Sequence, residues 1–361
     1  MRTIFCCVLL CIACSSIGQP FVKTADSLRL YRSVPGLVYA VFTADKIIEI
    51  QTSGTRKFRT KDSVQLSDKF HVGTNTTLFT AYLAAKMAES GRIRWNTTLI
   101  KALPDLQGNS MKLYHTVTLQ QLLSQRAGIR PYTNMDDFKG IELLPGSVQN
   151  QRKTFAAIVL QQHPVLFFDT SKPTYSIAGT SLAAYMLERS ASMEWEKLID
   201  QYINKPLRIS IGFGLPNEVD SLQPSGHWDR YGNLTSEPST TWAKPIPAVV
   251  PASDINISLP HFITFIQDIM KSLEKKKASI TLASANLLLY GYKNYSLGWE
   301  TENWNNQQIA WSSGKSALFS NYVEVSREKN IGIIVMCNTG SVNGRSVTRN
   351  FARLLREHYL K

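Results

Sequence analysis

The sequence is poor in cysteine. Its 361 residues include 5, and Cys6, Cys7, Cys11 and Cys14 all fall at the very start, leaving Cys337 alone further along. A single thiol builds no internal disulfide framework and gives little support to a zinc site. Cys337 closes the apolar run from Ile331 and reads as a buried small hydrophobe. The six histidines, at 71, 115, 163, 227, 261 and 358, form no H-E-x-x-H or H-x-H pair. No metal is therefore expected. There is no P-loop and no G-x-G-x-x-G, and no cofactor is implied. Beyond the N-terminus no apolar stretch is long enough for a transmembrane helix. Internal repeats and low-complexity segments are also missing. Acidic residues are few: Asp plus Glu is 27 against 40 for Lys plus Arg, a formal charge of +13. So basic a balance can mark a nucleic-acid partner, but the bases are spread thinly apart from Lys275, Lys276 and Lys277, which read as a solvated helix face. The expectation is no nucleic acid and a general attraction to anionic surfaces such as a cell envelope.

What is present is globular in character, with 43% hydrophobic and 19% charged residues. The length suits one large domain, or a core carrying a sizeable insertion. Met1 and Arg2 precede an apolar run from Ile4 to Ala13, too short to cross a bilayer, and small residues follow. This order is that of a signal peptide spanning 1–18, with cleavage after Ser16-Ile17-Gly18, so the protein is expected to be exported, periplasmic or secreted. Leu10-Cys11-Ile12-Ala13-Cys14 also resembles a weak lipobox, which would leave a lipid anchor at Cys14. Cys11 stands where that motif usually has Leu, so the lipoprotein is the second reading.

Along the rest of the chain, Phe21 to Arg32 reads as a short amphipathic helix. Gly36 to Thr43 and Lys46 to Ser53 read as strands joined by a turn. Thr74 to Ser90 carries apolar residues at helical spacing and stops at Gly91. A long middle follows with few convincing strands. Strand signals return at Ser296 to Thr301, Gln308 to Ser312, Phe319 to Ser326 and Gly332 to Cys337, before a basic amphipathic helix from Val347 to Tyr359. The expected architecture is α/β: one antiparallel sheet from about 30–70 and 290–361, flanked by helices, with a mostly helical insertion at about 71–289.

Six segments carry a family resemblance. Phe70-His71-Val72-Gly73-Thr74-Asn75-Thr76-Thr77 resembles the start of the catalytic helix in serine β-lactamase-like proteins, the branch of class C β-lactamases, penicillin-binding proteins, DD-peptidases and related esterases. Thr118 to Ile129 is similar to that family's T-L-x-x-L-L-x-H-T-S-G-L block. Tyr175-Ser176-Ile177-Ala178-Gly179 resembles Y-S-N-x-G, and Lys205-Pro206-Leu207-Arg208-Ile209 resembles x-P-L-G-M. Leu297-Gly298-Trp299 matches L-G-W, and Ser312-Ser313-Gly314 falls where H/K-T/S-G is expected. The six occur in the family's order over roughly residues 30–360.

The resemblance implies a nucleophilic Ser with a Lys one turn later on the same helix face, taking its proton. Thr74 and Thr77 stand at those positions. Thr74 keeps a hydroxyl under a crowding methyl, and Thr77 is too weak a base. Thr74 is either a nucleophile or a helix N-cap accepting from the next turn. Tyr175 keeps the residue that shares proton transfer, or else is a half-buried phenol with a satisfied hydroxyl. Ile177 replaces the Asn that holds the Lys and the substrate amide. Ser312 replaces the His or Lys that recognises carboxylate, while Ser313 and Gly314 fit. The backbone N–H groups of Lys315 and Thr74 correspond to the oxyanion hole. Leu318, where the family has Gly, points to an altered or filled pocket wall. Ser272-x-x-Lys275 and Ser326-x-x-Lys329 also fit S-x-x-K but lie in charged stretches. His227, in a Gly226-His227-Trp228 turn, reads as structural. Trp228, Trp242, Trp299, Trp304 and Trp311 are either a groove lining or, by default, buried packing. The expected function is an exported, catalytically degenerate family member binding a cell-wall peptide, a small carbonyl or carboxylate ligand, or an envelope partner. The alternative is an active hydrolase of an ester, amide or peptide with Thr74 as nucleophile.

Overall fold

A computed structural model of the protein describes residues 21–166, 168–230, 233–236 and 245–361. The expected leader at 1–18, with Cys14, and Trp242 lie outside the described residues. The strands are β1 (Gly36–Phe42), β2 (Ile47–Gly54), β3 (Lys69–His71), β4 (Gly212–Phe213), β5 (His227–Arg230), β6 (Asn233–Ser236), β7 (Ile255–Ser258), β8 (Glu300–Trp304), β9 (Gln307–Lys315), β10 (Ser320–Ser326) and β11 (Ile331–Cys337). The longer helices, with α3 kept for its place beside the cleft, are α1 (Val22–Tyr31), α2 (Thr76–Glu89), α3 (Leu119–Leu123), α4 (Val148–Gln161), α5 (Ile177–Ala191), α6 (Leu259–Leu273), α7 (Leu282–Tyr290) and α8 (Val342–Tyr359). Among the described residues no helix is long and apolar enough to cross a membrane.

Both ends of the chain build one sheet, as expected. Its order is β2-β1-β11-β10-β9-β8, with antiparallel pairing throughout. Strands β1 and β11 read as unbroken apolar runs because both faces are covered. Successive side chains point to opposite faces. Leu37, Tyr39 and Val41 join Ile333, Val335, Phe351 and Leu355 on the α8 side, while Val38, Ala40 and Phe42 join Ile334, Met336, Phe262 and Ile266 on the α6 side. Helix α8 is amphipathic for that reason: Val347, Phe351 and Leu355 are buried, and Arg353 is exposed.

The middle of the chain is mostly helical but also holds a three-stranded sheet, β3-β7-β4, and the β5–β6 hairpin. These strands are two to four residues long, too short to show an alternating pattern. Helix α2 runs through the centre and is buried along nearly its whole length. Phe79 stacks on Phe265 at 4.1 Å, and the Tyr82 hydroxyl donates to Asp268 at 2.7 Å. Two expectations change. The strand predicted from Ser296 starts only at Glu300, because Gly298 turns the chain with φ +88°. Lys275 to Lys277 follow the end of α6 as an exposed turn with Lys275 at φ +57°, and are not a helix face.

Candidate active site

A cleft of about 320 Å³ opens where the start of α2, the segment entering α5 and the end of β9 meet. Thr74, Asn75 and Thr77 come from the first, Tyr175 from the second, and Ser312, Ser313 and Lys315 from the third. Gln125, Tyr295 and Glu300 complete its walls. The fold thus gathers six of the eight predicted site residues. Ile177 and Gly314 do not line the cleft. Ile177 is buried in the core in the first turn of α5, its N–H donating to Pro131 at 2.8 Å. Gly314 serves by lacking a side chain, since a Cβ there would lie 2.3 Å from the Val72 carbonyl oxygen.

The turn Gly73–Asn75 and strand β9 are pressed together. Gly73 has φ +54°, and a Cβ on it would fall 2.1 Å from the Lys315 carbonyl oxygen. Buried amides stitch the contact. Ser312 Oγ donates to Asn75 Oδ1 at 2.7 Å, Asn75 Nδ2 donates to Asn321 Oδ1 at 2.6 Å, and Asn321 Nδ2 donates to Val72 O at 2.9 Å. Beneath the turn, His71 Nδ1 accepts from Gly73 N–H at 3.1 Å, and Nε2 lies 2.9 Å from Asp254 Oδ1. Because Nδ1 accepts, the proton sits on Nε2 and faces the carboxylate.

Thr74 is not the cap it resembles. The cap position of α2 is Asn75, with helical backbone angles and no side-chain cap bond. Thr74 Oγ1 instead accepts from the Lys315 backbone N–H at 3.2 Å. One of the two expected oxyanion donors therefore points at the Thr74 hydroxyl itself.

The helical wall is different. The Tyr175 hydroxyl and Thr77 Oγ1 are both buried, and neither has a hydrogen-bond partner. Tyr175 was expected to have a satisfied hydroxyl if structural, and it does not. Burial pushes its phenol up to about 12, and the nearby hydroxyls of Thr77 and Thr74 draw it back only in part. They favour the ionised form by proximity, yet no bond of normal geometry joins the three. At neutral pH Tyr175 is a phenol and not a phenolate. Burial likewise raises Tyr295 beside it. Desolvation raises the Glu300 carboxyl, Arg349 lowers it and Glu302 raises it. Among the described residues neither Glu300 nor the Lys315 ammonium is in an ion pair.

The other expectations resolve simply. Leu318 does not fill the cleft: it is buried beside Gly226, and the cleft stays open. Ser272 Oγ donates to Ile280 O at 2.7 Å and Ser326 Oγ to Gln307 Oε1 at 3.2 Å, both outside the cleft. His227 is structural. Its Nδ1–H donates to Asn338 O at 2.6 Å, Nε2 accepts from Phe58 N–H at 2.9 Å, and burial lowers it to about 4. Trp299 is buried, Trp228 packs against the main core, and Trp304 and Trp311 pack on the α8 side, so these four form no groove.

Asn75, Asn321, Gln125, Tyr295 and Glu300 were missed by sequence reasoning. Gln125 had a signal, since it stands at the His of the T-L-x-x-L-L-x-H block. Its Oε1 accepts from Ser176 N–H at 2.8 Å and its carbonyl from Thr174 N–H at 2.7 Å, which holds the segment carrying Tyr175.

The architecture agrees with known proteins. Protein flp of Staphylococcus aureus (strain MRSA252) is 23% identical over 317 residues, covering 85% of this chain and 60% of that protein. The chain thus spans about 60% of the length of that curated relative. The octameric penicillin-binding protein homologue from Pyrococcus abyssi superposes with a TM-score of 0.74 at 18% identity, over 93% of this chain and 77% of that one. A class C β-lactamase from Rhodobacter sphaeroides gives 0.71 at 17% identity, over 93% and 98%. Those likenesses show the fold. The family model named Beta-lactamase matches residues 23–357, nearly all of the described structure, and the chain belongs to that family.

Proposed function

We propose that this protein is an exported member of the family that has lost acyl transfer and uses its cleft to bind a ligand of the cell envelope, a cell-wall peptide or another small carbonyl- or carboxylate-bearing molecule. The observation that carries the reading is the company of Thr74. The position one turn on is Thr77, whose hydroxyl is no base. The remaining neighbour, Tyr175, holds its proton up to about 12. Neither can take a proton from Thr74 at neutral pH. The cleft nevertheless remains open, and its rim carries the exposed Lys315 ammonium, without an ion-pair partner and suited to an anionic ligand group. The leader-like first 18 residues and the charge of +13 support export and an anionic envelope setting.

A second reading, hydrolysis of an ester, amide or peptide through Thr74, has one observation in its favour: the Glu300 carboxyl on the same cleft. The test is incubation with a chromogenic cephalosporin, a fluorescent penicillin and a short-chain p-nitrophenyl ester, beside Thr74→Ala. No turnover and no adduct by intact mass are expected. Turnover or an adduct that disappears in Thr74→Ala would replace the first reading by the second.

A further inference from the structure

We infer that β2 is a docking edge for a second copy of this chain, the two β2 strands pairing antiparallel across a two-fold axis so that the two sheets become one. The inference is independent of the binding reading above: the cleft opens beside β8 and β9, and β2 is the opposite edge of the sheet. An edge strand presents a row of unpaired N–H and C=O groups. On β2 these groups can be located. The Gly54 carbonyl accepts from Val64 N–H at 3.1 Å, from outside the sheet, so Gly54 turns its polar groups outward. Alternation along an antiparallel ladder turns those of Thr52 and Ile50 outward as well. Among the described residues no backbone bond from outside the ladder reaches either of them. Val64 closes the edge at Gly54, so the free stretch runs from Ile47 to Ser53.

Edges that must stay single are guarded by charge, Lys or Pro. The other edge, β8, is guarded: Glu300 and Glu302 are exposed, and a second copy would set like charges together. Strand β2 is not. It holds no Lys, Arg or Pro. Its one charged residue, Glu49, is buried and accepts from the Tyr39 and Tyr359 hydroxyls at 2.5 and 2.7 Å. A bulge falls at Ile48, and the ladder from Glu49 to Ser53 is regular. The two ends of the strand select a second copy over a foreign one. At its start Ile47 and Ile48 are 45% and 41% exposed. At its far end Arg29 Nε donates to Ser53 Oγ at 3.1 Å, which sets the last turn of α1 beside it. Leu30 and Tyr31 of that turn are 61% and 78% exposed. Two-fold antiparallel pairing brings the isoleucine end of each strand to the α1 end of the other, so each apolar patch covers its counterpart twice.

The test is sedimentation velocity of the purified protein from about 1 µM to about 200 µM, with hydrogen exchange at both limits. A monomer–dimer equilibrium is expected within that range. The Ile50 and Thr52 amides should exchange more slowly at the high concentration, and those of β8 should not change. Ile48→Lys and Thr52→Pro are each expected to weaken the dimer at least about tenfold. Thr52→Pro removes an outward N–H and leaves the ladder with β1 whole, and Ile48→Lys lies at the bulge, so both should keep the wild-type far-ultraviolet circular dichroism. A monomer at every concentration, a dimer unchanged in both variants, or protection that rises on β8 instead would each overturn the inference. So would a protein that stays monomeric while an added Thr-Val repeat peptide protects Ile50 and Thr52, which would make the edge a site for a foreign strand.

Discussion

The two walls of the cleft are built on opposite principles. On the β9 wall a chain of hydrogen bonds links Ser312 to Asn75, Asn75 to Asn321 and Asn321 to Val72, and the Lys315 backbone N–H donates to Thr74. On the α2 and α5 wall, Thr77 and Tyr175 keep buried hydroxyls with nothing attached. A saturated polar network rigidifies, because breaking any link leaves desolvated groups behind. An unsaturated one is a standing energetic cost that a ligand removes. The first wall keeps the shape of the cleft, and on the proposed binding function the second supplies its affinity.

The comparison breaks most violently at Gly314. Gly314→Ala drives a Cβ to 2.3 Å from Val72 O and 2.6 Å from the Asn321 amide. Urea denaturation is expected to show a loss of about 3 kcal/mol or more. Loss below about 1 kcal/mol would mean that the two backbones are not held together as described. His227 extends the saturated style away from the cleft, and its effect depends on pH. Folded, it stays neutral down to about 4, while in the unfolded chain it takes up a proton below its ordinary 6.5. Its contribution is complete above pH 6.5 and declines by as much as about 3 kcal/mol as the pH falls to 4, with no further change below. Stability curves at pH 7 and pH 4.5, for wild type and His227→Gln, should show a steeper fall in the wild type. Parallel curves would remove His227 from the account.

Asn321→Ala unpairs Asn75 and Val72 together, and about 2 kcal/mol of destabilisation is expected by the same measurement. The smallest effect is the sharpest. Thr77→Val and Tyr175→Phe remove hydroxyls that have no partner, so each should lie within about 0.5 kcal/mol of wild type, or above it. A loss above about 1.5 kcal/mol from either would show that the helical wall is saturated after all, and the contrast would collapse.

How far the sequence revealed this depends on the range of the interactions. The central strands were legible because β1 and β11 are buried on both faces and must be apolar throughout. The short strands β3, β4 and β7 were not, since two to four residues carry no period. Of the site, Thr74, Thr77, Tyr175 and Ser312 were found from spacing and resemblance. The reading of Thr74 as a cap failed because its partner, the Lys315 N–H, lies 241 residues away. Asn75 and Asn321 were invisible for the same reason, being 246 residues apart and matched only through the fold. Glu300 sat beside the quoted L-G-W motif, yet nothing local told that its carboxyl would face the cleft.

The pairing of β1 with β11 sets Leu37 opposite Cys337. The strand at the heart of the sheet therefore joins parts of the chain about 300 residues apart. Such a closure is slow, since the entropy of the loop is surrendered before the pairing can repay it. On the ribosome, β1 can pair early with β2, but its other edge waits about 300 residues for β11. The chain thus has a long interval in which it is extended, adhesive and a natural client for chaperones.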